Sequence, residues 1–106
     1  MHFVVIGRDK GDGSLRREER AAHLEHVARF QHLIVYGGPL LDQGRMVGSV
    51  IVFDVADRSA LDAYLASDPY FARPIFETVE IFESLWMVPE REAGVLAAEA
   101  ERARSA

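Results

Sequence analysis

The sequence has 106 residues, a formal net charge of −5 and no cysteine, which limits it to one domain with a modest core. The acidic balance argues against nucleic acid as a partner, because a phosphate backbone requires a basic face. Without cysteine there is no disulfide framework, zinc–thiolate site or thiol nucleophile. No apolar run approaches the roughly 18 residues of a membrane span and no secretory signal is visible, so we expect a cytoplasmic protein without membrane contact.

The first two predicted elements are a strand and a long helix. β-Branched residues predict strand one over about His2 to Arg8, and a glycine-bearing loop closes it. Ser14 is expected to cap a helix that runs to about Gln31. The apolar stripe of this helix consists of Leu24, Val27 and Phe30.

A hairpin is predicted next. Strand two covers about Leu33 to Gly37 and is expected to end at Gly37-Gly38-Pro39, because proline removes a ladder donor. Strand three, about Met46 to Val55, follows the turn Asp42-Gln43-Gly44. The two strands are therefore expected to pair in antiparallel orientation.

The second half of the chain repeats the pattern of helix and strand. Asp57 or Ser59 can cap helix two, and Pro69 interrupts it before a short second piece, Tyr70 to Ile75. Strand four is expected over about Thr78 to Met87. We place the domain at residues 1–88 and regard residues 89–106 as a charged, alanine-rich tail that can form a helix. The core-facing residues of helix two are Leu61, Tyr64 and Leu65.

The order β-α-β-β-α-β predicts an α+β sandwich of the ferredoxin-like type. Both helices then cover the same face of the sheet. Strands one and three are apolar on both faces, as the alternation of Val4 and Ile6 with Phe3 and Val5 illustrates. An uncovered apolar face is unusual for a monomer. We therefore expect a homodimer formed through this face, the dimeric α/β barrel.

Two residues are the candidates for chemistry. His23 shares one side of helix one with Arg16 and Arg20, where it could act as a general acid or base while an arginine binds an anion. The alternative is a structural histidine that borders the apolar stripe. Asp68 could orient His23 if the fold brings them together, or it could simply cap the helix that begins at Pro69.

The remaining histidines do not indicate a metal site. His26 and His32 look like surface or terminal positions, and no pair has a convincing metal-ligand spacing. We therefore expect neither a metal nor another cofactor. Haem-dependent oxygenation, known in other dimeric α/β barrels, has no residue support here.

An ordered set of short motifs resembles the YciI-like (YCII-related) family over about residues 1–88. The motifs are Arg20-Ala21-Ala22-His23-Leu24, Gly37-Gly38-Pro39, Gly48-Ser49, Ser67-Asp68-Pro69-Tyr70 and Phe76-Glu77-Thr78-Val79. The resemblance implies a dimeric α/β barrel whose active site contains a histidine and an aspartate, here His23 and Asp68. It further implies pocket positions at Arg20, Gly38, Pro39, Ser49 and Tyr70. One branch of the family resembles dehydrochlorinases of chlorinated hydroxyquinols.

Together these observations favour a small cofactor-independent enzyme. His23 with Asp68 would transfer a proton on a small aromatic anion, in lyase, dehydrochlorinase or isomerase-type chemistry. Two alternatives stay open: a small-molecule binding or sensing module that uses the same pocket without turnover, and a dimeric interaction domain.

Overall fold

Four strands and four α-helices follow one another in the computed structural model, which describes all 106 residues. The four elements of the first half are β1 (His2–Asp9), α1 (Ser14–Phe30), β2 (Ile34–Asp42) and β3 (Arg45–Asp54), with a 3₁₀ turn (Gln31–Leu33) between α1 and β2. The second half contains α2 (Arg58–Ser67), α3 (Pro69–Ala72), β4 (Phe76–Ser84) and α4 (Val95–Ser105). No helix has the length and apolarity that a membrane span requires.

The strands form one antiparallel sheet in the order β2-β3-β1-β4. The two outer strands are β2 and β4, and helices α1, α2 and α3 lie on one face. The predicted ferredoxin-like α+β fold is therefore confirmed.

The core lies between this covered face and the helices. Phe3 and Val5 of β1 and Phe53 of β3 are buried against Leu61 and Tyr64 of α2. Burial of these side chains stabilises the fold by about 1.5–3 kcal/mol for each large apolar group. The predicted core face of helix two is thus the observed one.

The opposite face of the sheet carries a row of apolar residues in register across all four strands. The row is Tyr36, Val52, Val4 and Phe82. Its two outer members are 64% and 53% exposed, so nothing in the single chain covers them. The predicted excess of apolar surface is present.

The prediction that strand two ends at Gly37-Gly38-Pro39 is wrong. β2 continues through these residues to Asp42, and Pro39 pairs with Ser49 of β3. Proline is tolerated because β2 is an edge strand, whose outer side has no partner. The chain turns later, at Gln43 and Gly44, which both have positive φ (50° and 81°), as a type I′ hairpin turn requires.

Other observed element boundaries differ from the predicted ones by a few residues. Gly13, not Ser14, is the N-cap of α1, and the Asp12 carboxylate accepts a hydrogen bond from the Ser14 backbone N–H (3.0 Å). The piece after Pro69 ends at Ala72, earlier than predicted. β4 begins at Phe76 and ends at Ser84, because Ser84 already pairs with His2, the first residue of β1. No partner strand extends beyond that pair.

The tail contains α4, none of whose residues is buried. Glu99 and Glu101 form exposed ion pairs with Arg102 and Arg104. Pairs of this kind add only about 0.3–0.5 kcal/mol each. The helix is therefore held chiefly by its own propensity.

Candidate active site

His23 of α1 and Asp68 of the α2–α3 junction lie in direct contact, although 45 positions separate them in the sequence. His23 Nδ1 is 2.9 Å from Asp68 Oδ1. Asp68 is completely buried, and His23 is 12% exposed. Asp68 is also the N-cap of α3, with Pro69 at the first helical position. The capping interpretation and the pairing interpretation of Asp68 both hold in the structure.

Three donors surround the Asp68 carboxylate. Oδ1 accepts from the Tyr70 backbone N–H (2.9 Å) as well as from His23, and Oδ2 accepts from the Tyr64 hydroxyl (2.9 Å). Burial raises the pKa of Tyr64, and the charge and hydrogen bond of Asp68 raise it further, so the phenol stays protonated and donates. The carboxylate is thus fixed from two sides.

These contacts determine the tautomer of His23. An ionised carboxylate only accepts hydrogen bonds, so Nδ1 of His23 carries the proton. In the neutral ring, Nε2 then has a free lone pair. Nε2 has no hydrogen-bond partner in the protein and does not belong to the buried unpaired atoms. His23 therefore presents a basic nitrogen to its surroundings.

Tyr70 holds the plane of the imidazole. The two rings are stacked at a centroid distance of 3.7 Å with an interplanar angle of 1°. The Tyr70 hydroxyl donates to the Arg16 carbonyl oxygen (3.2 Å), which anchors Tyr70 to α1. The orientation of His23 is thus set by a hydrogen bond in its plane and by a ring against its face.

A cavity of about 290 Å³ opens beside His23, between α1 and strands β2 and β3. Its wall includes His23 and every residue that the family resemblance implied as a pocket position: Arg20, Gly38, Pro39, Ser49 and Tyr70. Asp68 does not line the cavity and lies behind His23. The remaining wall is largely apolar and includes Leu24, Val27, Ile34, Val35 and Ile51.

Arg16 also lines the cavity, and its partners were not visible in the sequence. Its guanidinium is bidentate with Asp9 (Nε to Oδ2 and Nη2 to Oδ1, both 2.7 Å), and Nη2 also donates to Ser49 Oγ (2.9 Å). Arg16 is only 4% exposed. Burial alone would lower its pKa, but the hydrogen bond and charge of Asp9 outweigh burial and raise it. Arg16 is a permanently charged part of the wall.

His26 is buried, so its prediction as a surface residue is wrong. Its Nε2 lies 2.8 Å from Ser67 Oγ, and its ring packs on Phe30 and Tyr64. Nδ1 is buried without a partner, and burial lowers the pKa of the imidazole. Residues four positions apart lie on the same face of a helix, so the spacing of His26 and Phe30 could have indicated that both side chains point inward.

No three His, Asp or Glu side chains come together in a way that could hold a metal ion. An imidazole with a free nitrogen can transfer a proton, and a guanidinium without an ion-pair partner, such as that of Arg20, can bind an anion.

The sequence matches the family described as the YCII-related domain over residues 1–85. The resemblance noted from short motifs is therefore confirmed. No curated protein matches the sequence.

Solved structures share the fold at low identity. The 5-chloro-2-hydroxyhydroquinone dehydrochlorinase of Burkholderia phenoliruptrix, in complex with 2,5-dihydroxybenzoquinone, has 22% identity and a TM-score of 0.72 over 82% of this chain and 94% of that one. A cofactor-independent oxygenase of Streptomyces nogalater has 21% identity and a TM-score of 0.50 over 84% and 96%. The crystal structure of an antibiotic biosynthesis monooxygenase has 18% identity and a TM-score of 0.52 over 81% of this chain and 100% of that one.

Proposed function

Because this chain belongs to the YCII-related family, we propose that it is a small enzyme that uses His23 as a general base without a cofactor. The single observation that carries this proposal is the 2.9 Å contact between His23 Nδ1 and the buried Asp68, which leaves Nε2 as the free basic nitrogen beside a cavity. A histidine oriented by a carboxylate is a common arrangement for proton transfer near neutral pH.

The proposed step is the removal of a proton from a small aromatic anion by His23 Nε2. The imidazole of His23 becomes an imidazolium, and the negative charge of Asp68 stabilises this cation. The electron pair left on the substrate forms a double bond as a leaving anion departs, which is lyase or dehydrochlorinase chemistry. If the proton returns to another atom instead, the reaction is an isomerisation. Neither route requires an oxidant or a metal.

The size and wall of the cavity support an aromatic substrate. About 290 Å³ accommodates a single substituted ring, and aliphatic side chains cover much of the wall. The dehydrochlorinase with the same fold was solved with a hydroxylated quinone, which makes such rings the first compounds to test. A binding module that uses the same cavity without turnover remains the second candidate.

The test is turnover of a panel of chlorinated and unchlorinated hydroxyquinols and small aromatic acids, followed by absorbance and by release of chloride. His23→Ala is expected to reduce kcat/KM by about 10²–10⁴-fold, the usual contribution of a general base. His32→Ala is the matched control, since His32 is exposed and does not line the cavity. Ligand binding by the wild type without turnover would favour the binding module.

We also propose that the chain forms a homodimer through the row of Tyr36, Val52, Val4 and Phe82. The row supports this because exposed apolar area of this kind is usually covered in soluble proteins. Sedimentation should give the mass of two chains, and Phe82→Glu should give the mass of one. Leu96→Glu, an exposed apolar position on α4, is the control that should stay dimeric. A monomeric wild type at all concentrations would contradict the proposal.

A further inference from the structure

We infer that the cavity binds its ligand in one direction, with an anionic oxygen between Arg20 and Ser49 and the apolar part of the ligand toward Val27 and Ile34. The inference rests on the proposed function only in placing the substrate in this cavity. It identifies the ligand class as an aromatic monoanion, a carboxylate or phenolate, that carries an apolar group opposite the charged oxygen.

The two ends of the cavity are set by the course of the chain. Arg16, in the first turn of α1, bonds to Ser49, and Ser49 pairs with Pro39 of β2. The other end of α1 leads through the 3₁₀ turn directly into Ile34, the first residue of β2. Helix α1 and strand β2 thus run in opposite directions along the cavity.

The polarity of the wall changes along this length. Arg16, Arg20 and Ser49 lie at the first end, which we call the polar end. At 1.5 Å rise per residue, Arg20 precedes His23 by about 4–5 Å and Val27 by about 10 Å. Beyond His23 the wall contains Leu24, Val27, Ile34 and Val35, and its polar members there, Tyr36 and Gln31, carry no charge.

Charge at the polar end is positive and partly uncompensated. The chain has 17 acidic residues, yet no carboxylate lines the cavity. Asp9 neutralises Arg16 through two short bonds. Arg20 forms no ion pair, and its one side-chain hydrogen bond is to the sulfur of Met46 (3.8 Å). Arg20 is therefore the cation available to a ligand.

Ser49 adds a directed donor beside Arg20. Its side chain is nearly buried at 5% exposure, and its oxygen already accepts from Arg16 Nη2. Its hydroxyl hydrogen has no acceptor in the protein. Accepting a bond from a guanidinium polarises the hydroxyl and makes it a better donor. Arg20 and Ser49 can thus both donate to one oxygen, and the group that best complements two donors and a positive charge is an anionic oxygen.

Binding of three probes to the full chain, measured by isothermal titration calorimetry, tests this orientation. The probes are 4-ethylbenzoate, the neutral 4-ethylbenzamide and the dianion terephthalate. We expect 4-ethylbenzoate to bind about 10- to 100-fold more tightly than the amide, the range for a hydrogen bond to a charged group. Terephthalate should bind at least about tenfold more weakly than 4-ethylbenzoate, because it places a second carboxylate against apolar side chains.

Variants of the polar end identify the residues responsible. Arg20→Gln should remove the preference for the acid over the amide, and Ser49→Ala should reduce it. Arg17→Gln is the matched control: it removes the same charge from α1, but Arg17 does not line the cavity. A phenol that ionises near neutral pH, 4-ethyl-2,6-difluorophenol, measured below and above its pKa, distinguishes a phenolate from a carboxylate as the source of the anionic oxygen: tighter binding of the ionised form is expected if a phenolate is accepted.

The inference is overturned by equal affinity for acid and amide, by an unchanged preference in Arg20→Gln, by tight binding of terephthalate, or by no binding of 4-ethylbenzoate at millimolar concentration. Its failure is distinguishable from that of the proposed function. His23→Ala is expected to lose turnover and to retain the preference for the acid, because binding calorimetry does not depend on proton transfer.

Discussion

Asp68→Asn is the substitution that best separates the charge of the dyad from its geometry. The amide has the shape of the carboxylate, and the backbone N–H of Tyr70 should keep the oxygen in the place of Oδ1. His23 Nδ1 can then still donate to that oxygen. The variant lacks the negative charge that would stabilise the imidazolium formed when His23 accepts a proton.

Two magnitudes follow from the contacts of Asp68. Two hydrogen bonds to a charged acceptor, from His23 and Tyr70, become bonds to a neutral amide oxygen. The third reverses, because the amide nitrogen that replaces Oδ2 donates to the Tyr64 hydroxyl, and each of the three bonds loses about 1 kcal/mol. Relief of the desolvation of a buried charge offsets part of this loss, so we expect a net destabilisation of about 1–3 kcal/mol. Loss of electrostatic support for the base should reduce kcat/KM by about 10²–10⁴-fold.

Tyr64→Phe is the matched comparison. It removes the donor to Oδ2 and leaves that oxygen buried and unpaired, at a cost of about 1–3 kcal/mol in stability, yet it keeps the charge of Asp68. Urea denaturation should therefore rank the two variants as similar, and turnover should rank Asp68→Asn far below Tyr64→Phe. The reasoning is refuted if Asp68→Asn keeps turnover near that of the wild type while His23→Ala abolishes it. Asp68 would then be only a helix cap.

Three further predictions concern the scaffold. Gly48→Ala should lower the free energy of unfolding by about 1–3 kcal/mol, because its Cβ would lie 2.3 Å from the Gly7 carbonyl oxygen. Gly38→Ala is the control and should be near neutral in urea denaturation, because the space at that position is open. Burial lowers the pKa of His26, so on acidification the unfolded chain protonates this imidazole at a higher pH than the folded chain does. The wild type should therefore lose stability relative to His26→Phe as the pH falls below about 6.5. Parallel pH profiles of stability for the two proteins would contradict this prediction. Removal of residues 94–106 should change the free energy of unfolding by less than about 0.5 kcal/mol, since no residue of α4 is buried; a larger loss would show an unrecognised contact.

Patterns among residues close together in the chain were sufficient to predict much of the fold and part of the site. Strand alternation and turn residues gave the β-α-β-β-α-β order, and Asp68-Pro69 marked the helix break. Helical spacing placed Arg20 and His23 on one side of α1. The family resemblance then named His23 and Asp68 together, which residue spacing alone does not do.

The tertiary structure decided the features that depend on contacts between distant segments. β2 passes through Gly37-Gly38-Pro39 because β3 is there to pair with it, and β4 ends at Ser84 because β1 begins opposite. The bond from Arg16 to Ser49 and the contact of His23 with Asp68 join residues 33 and 45 positions apart. Local propensity acts over a few residues, whereas hydrogen bonds across such separations form only when helices pack on the sheet in one register. Sequence therefore determined which elements form, and packing determined which side chains meet in the cavity.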